Sequence, residues 1–111
     1  MSLEQQIGEV IGQYKKHGWN LSRVLLSPES RKSLRNQYFG EVRVVESDFD
    51  AAWFIRSSLP GQITWELRTL TGTPFALLEV FDDTTDDATR EARLGAVEDR
   101  LRESRSRPRG H

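Results

Sequence analysis

The run EVRVVESDFDAAWFIRSSLPGQITWELRTLTGTPFALLEVFD, residues 41–82, decides the fold. Apolar and polar residues alternate in it with a period of two, as half-buried strands require. Turn signals at Asp48-Phe49, Leu59-Pro60-Gly61 and Thr71-Gly72 divide it into strands over about 41–47, 51–58, 62–70 and 74–82. A two-residue turn at Asp48-Phe49 sets Val44 opposite Trp53. A three-residue loop, with Gly61 in the left-handed conformation, sets Ile55 opposite Trp65 and Trp53 opposite Leu67. A two-residue turn at Thr71-Gly72 sets Trp65 opposite Leu78 and Ile63 opposite Val80. The turns agree on one inner face, which includes Val42, Val44, Trp53, Ile55, Ile63, Trp65, Leu67, Ala76, Leu78 and Val80. The expected architecture is a four-stranded antiparallel meander.

Helical patterns flank this run. Leu3, Ile7, Val10, Ile11 and Tyr14 recur at the helical period and predict a helix over 2–17. Ser2 and Gln5 form a capping-box pattern, and Gly18 supplies the stop. Gly8 and Gly12 beside the apolar stripe suggest close approach by another backbone. Residues 19–27 read as extended, a candidate fifth strand, and Ser27-Pro28 opens a short helix near 28–36. A last helix over 85–105 is capped by Asp83 or Thr84. Its thin stripe of Leu94, Val97 and Leu101 implies a shallow, peripheral contact. The fold class is α+β with helices packed mainly on one side of the sheet. Residues 1–104 form one domain, and 105–111 a basic, flexible tail.

Composition narrows the function. The chain has 111 residues, 36% of them hydrophobic, with 16 basic and 17 acidic side chains and a net charge of -1. A balanced charge makes nucleic acid an unexpected partner. Cysteine is absent, which removes disulfides, thiolate metal sites and cysteine nucleophiles. His17 and His111 are the only histidines, too few for a multi-histidine metal site. No apolar run has the length of a bilayer span or the form of a signal-peptide core, so a cytoplasmic protein without membrane contact is expected.

Individual clusters carry little chemistry. The acids among residues 82–87 lack the spacing of a calcium loop and read as a helix cap. Asp50, Glu66 and Arg68 echo a metal-dependent nuclease, but arginine cannot stand in for a basic lysine. No catalytic residue, metal ligand or cofactor is assigned.

The second face of the sheet is the unusual feature. It collects Val45, Phe54, Arg56, Glu66, Arg68, Phe75, Leu77 and Phe81, a mixed apolar and charged patch unlike a solvent surface. Arg43 joins the same face. Cover can come from the 19–36 segment, from a helix or from another chain. The expected function is a small non-catalytic interaction domain that binds itself or another protein, homodimeric through this face. The alternative is a small enzyme or ligand-binding domain with a carboxylate/arginine pocket between helix and sheet.

Overall fold

A computed structural model describes residues 2–35 and 37–106, with Arg105 and Ser106 described by backbone alone. The chain runs α1 (Leu3–Lys16), β1 (Asn20–Leu26), α2 (Pro28–Ser33), β2 (Arg43–Glu46), β3 (Ala51–Ser57), β4 (Gln62–Thr69), β5 (Ala76–Asp82) and α3 (Asp87–Ser106). The strands form one five-stranded sheet in the order β2-β1-β3-β4-β5. The fold is α+β, and the expected fifth strand is present. Among the described residues, no helix is long and apolar enough to cross a membrane. The expected tail at 105–111 lies outside the described residues except for the backbone of Arg105 and Ser106, which continues α3.

Two features of the sheet correct the sequence reading. First, β1 inserts between β2 and β3. Val44 therefore lies beside Val24, and Trp53 beside Arg23, instead of facing each other. The β1–β2 pair is parallel; the other pairs are antiparallel. Val24, Leu25 and Leu26 are buried on consecutive positions, the mark of a strand covered on both faces and therefore central. Second, β5 is displaced by one residue. The β3–β4 hairpin keeps its expected register, with Ile55 opposite Trp65 and Gly61 at φ 75°. Along β4–β5, however, Leu67 faces Leu77 and Trp65 faces Glu79.

The cause lies in the loop before β5. Leu70 continues the β3–β4 register one residue beyond β4, burying its side chain on the α1 side and donating its N–H to the Asp50 carbonyl at 2.9 Å. Pairing then closes at Thr69 and Phe75, whose N–H groups donate to the Phe75 carbonyl and the Thr69 hydroxyl respectively, each at 3.0 Å. The loop is one residue longer than a two-residue turn from Leu70 would make it. A shift of one residue exchanges the faces of a strand.

The helices lie on opposite faces, not mainly on one. α3 covers Trp53, Trp65, Leu67 and Phe81 with Leu94, Val97 and Leu101, all three at most 1% exposed. The thin stripe is thus a full core contact, because large aromatic rings rise to meet it. Burial of each such aliphatic side chain contributes about 1.5–3 kcal/mol. α1 covers the other face, where Ile7 packs with Val24, Ala52 and Phe54, and Tyr14 stacks on Phe54 with ring centres 4.0 Å apart. Small side chains at Ala51 and Ala52 sit under the two layers.

Helix ends follow their local chemistry. Ser2 and Gln5 close the capping box of α1. Ser27 caps α2 with Pro28 in its first turn. α3 is capped by Asp86, which accepts from the Thr89 N–H at 2.7 Å, and not by Asp83 or Thr84. The earlier residue Asp82 instead holds a turn by accepting from the Thr84 N–H and the hydroxyls of Thr84 and Thr85. Both uses favour the ionised acid, and the Asp82 and Asp86 carboxyls fall below their ordinary pKa, chiefly through those Thr84 and Thr89 hydrogen bonds respectively. Among the described residues, no group of three or more acidic or histidine side chains is arranged to hold a metal ion.

Candidate interaction surface

The second face expected from the sequence does not form as one patch. Phe54, Arg56, Glu66 and Arg68 lie on the α1 side. Val45, Leu77 and Phe81 pack with the α3-side core, and Phe75, of the same parity as Leu77, is 40% exposed at its margin. Phe54 is fully covered by the chain's own α1, so it offers nothing to a partner. Phe81 is 3% exposed beneath the Arg93 guanidinium, which lies 4.4 Å from the ring centre. Arg43 lies in register with Arg23, near Glu91 on the α3 side, and does not join the other arginines.

The charged residues are engaged within the fold. The Tyr14 hydroxyl donates to Glu66. Burial, reinforced by Glu66, raises the Tyr14 pKa far above its ordinary value, so the phenol stays protonated. Arg56 lies over the Trp19 ring at 4.5 Å and donates to the His17 carbonyl. Arg68 donates to the Thr69 carbonyl at 2.8 Å and borders an open groove beside Tyr14, Gln13 and Lys16. Asp50 belongs to a separate buried cluster. It accepts from the Ser27 N–H and from the hydroxyls of Ser30 and Thr71, tying the β1–α2 junction to the loop after β4. Asp50, Glu66 and Arg68 therefore each serve a different structural contact, not a shared reaction centre.

The register of β5 creates a different surface. Leu78 and Val80, assigned to the core by the sequence reading, point away from α3 and are 57% and 44% exposed. With exposed Ala76 they form an apolar stripe on the α1 side of the sheet, beyond the reach of α1. The backbone of the same residues is also directed outward. In an antiparallel ladder, successive residues turn their N–H and C=O groups alternately toward and away from the neighbour. The bonds from Thr69 N–H to the Phe75 carbonyl and from Asp83 N–H to the Gly61 carbonyl show that odd-numbered residues of β5 face β4. Ala76, Leu78 and Val80 thus aim their backbone groups at the open margin. The Val80 carbonyl accepts from Arg93 at 3.1 Å.

The two margins of the sheet differ. β2 is 4 residues long and exposes Arg43 and Glu46, devices that discourage strand addition. β5 is 7 residues long and its stripe carries no charge before Asp82. A long, apolar, unpaired strand is a template for another strand.

Two of the concave regions among the described residues bear on a pocket reading. A cavity of about 300 Å³ lies under the segment after α2, lined by Leu26, Leu34, Phe39, Val42 and Val44 with Arg31 and Arg35. Arg35 is paired with Glu4. The groove at Tyr14 and Arg68 is open to solvent and is bordered by Glu9 and Lys16, while its Tyr14 hydroxyl is committed to Glu66. In comparisons with known proteins the chain matches no family, no curated protein and no solved structure.

Proposed function

We propose that this chain is a non-catalytic protein-interaction domain, cytoplasmic and homodimeric, that associates through the β5 side of its sheet. The observation that carries this reading is the exposure of Leu78 and Val80 on an unpaired margin strand. Solvent-facing strands ordinarily turn polar residues outward, and an apolar stripe at a margin marks a contact surface. The site differs from the face expected by the sequence reading, since Phe54 and Phe81 are already covered.

The alternative, a ligand-binding or catalytic pocket of carboxylates and arginines between helix and sheet, has weaker support. Its Glu66 is held by Tyr14, and its Arg56 by Trp19 and the His17 carbonyl.

Light scattering over a micromolar concentration series tests the proposal. The expected wild-type mass is twice the chain mass of 12.8 kDa. Leu78→Glu places charges in the contact and gives a folded monomer, since Leu78 is exposed and contributes little to the core. A wild type that stays monomeric to high micromolar concentration overturns the homodimer.

A further inference from the structure

We infer that the second copy joins by strand pairing, β5 against β5 in antiparallel orientation, with Leu78 on the two-fold axis. This rests on the interaction reading above and specifies its partner and geometry. A two-fold contact must complement itself. The stripe does so about Leu78: Leu78 meets Leu78 of the second copy, and each Ala76 meets a Val80. Small then opposes branched at both flanks, with no charge to repel its own copy.

The backbone is equally self-matching. Ala76, Leu78 and Val80 all direct N–H and C=O groups outward; in this register the Leu78 pair exchanges both of its hydrogen bonds, and the Val80 carbonyl, whose one lone pair accepts from Arg93, accepts from the Ala76 N–H of the second copy with the other. On the opposite face, Leu77 of one chain lies across from Glu79 of the other. Each Glu79 carries Arg93 of its own chain at 2.6 Å, which balances the charge before the strands meet. Arg93 also holds the Val80 carbonyl, so it borders the paired segment at its C-terminal end. A net charge of -1 opposes dimer formation only weakly. The β2 margin, short and charged, is unsuited to the same pairing.

The absence of cysteine allows a direct test by single introduced thiols. Air oxidation with copper-phenanthroline joins two thiols as a disulfide when their Cα atoms lie within about 7 Å. Directly opposite residues in a hydrogen-bonded pair are about 5.5 Å apart. Leu78→Cys is expected to cross-link to itself in most of the protein. Ala76→Cys and Val80→Cys are each expected to stay uncross-linked alone, because a like residue lies four positions away, roughly 13 Å. An equimolar mixture of those two variants is expected to give the mixed disulfide. In parallel, amide exchange at Ala76 and Leu78 should slow at least tenfold between dilute and concentrated protein.

The outcomes separate the two proposals. A dimer by light scattering that cross-links through Phe75→Cys or Ile63→Cys, but not Leu78→Cys, overturns the strand pairing and leaves self-association standing. A monomer with fast exchange at Ala76 and Leu78 overturns both, and leaves the margin open to a strand from a different protein or to none.

Discussion

The indole N–H of Trp53 donates to the Glu98 carboxylate at 2.8 Å, linking the middle of β3 to α3 across the larger core. Trp53 is fully buried, so this bond is the exit for the one polar atom of its side chain. Glu98→Ala strands that N–H and is expected to cost about 1–3 kcal/mol in denaturant unfolding. Glu98→Gln keeps an acceptor and should cost less than half as much. Equal losses would show that the bond does not matter and that packing of the side-chain stem does.

Leu94→Ala tests the depth of the α3 contact. Leu94 is fully buried against the Trp53 and Trp65 cluster, and its truncation is expected to cost about 2–5 kcal/mol. A loss under about 1 kcal/mol would return α3 to a peripheral role.

Gly12 and Gly95 sit in helices with nothing within 4 Å of the position a Cβ would take. Gly12→Ala and Gly95→Ala are each expected to stabilise by about 0.5–1 kcal/mol and to add, because the two helices lie on opposite faces of the sheet. Gly8 is the contrast. A Cβ there lies 3.3 Å from the Tyr38 hydroxyl, which donates to the Glu4 carbonyl, so Gly8→Ala should gain little or lose stability. Thermal melting of the three variants reads this ranking.

Acid sensitivity follows from Glu91, gripped by both terminal nitrogens of Arg23 at 3.0 and 2.8 Å. The Arg23 hydrogen bonds hold the carboxyl below its ordinary value of 4.5. A carboxyl lowered on folding adds stability above that ordinary value, and the contribution disappears as pH falls through the lower folded one. Glu91→Gln should therefore flatten the stability profile below about pH 4.5. The effect is modest, because the glutamate side chain is 45% exposed to solvent. An unchanged acid limb in urea unfolding would count against the assignment.

How far the fold could be read from sequence depended on whether its determinants were local. The Ser2 and Gln5 box, the Ser27-Pro28 start and the Gly61 loop each act within a few residues, and all are present. The position of β1 rests on pairing with strands distant in sequence. Its one available signal was the continuous run Val24-Leu25-Leu26, which implies cover on both faces. The register of β5 depended on a loop one residue longer than the two-residue turn at Thr71-Gly72, closed by the Thr69 hydroxyl accepting from the Phe75 N–H, a side-chain contact that strand alternation does not encode. The candidate site was lost with it: Leu78 and Val80 alternate with Leu77, Glu79 and Phe81, and parity alone decides which set is outside.

The loop from Leu70 to Pro74 therefore acts as a selector between two alternative surfaces. Deleting one of its residues would favour the other register, bringing Leu78 and Val80 beneath α3 and turning Phe81 outward. The protein would keep its strand order while exchanging an uncharged aliphatic margin for one bearing Leu77, Glu79 and Phe81. A single-codon deletion at this point is a direct evolutionary route from one binding preference to another without a substitution in β5 itself.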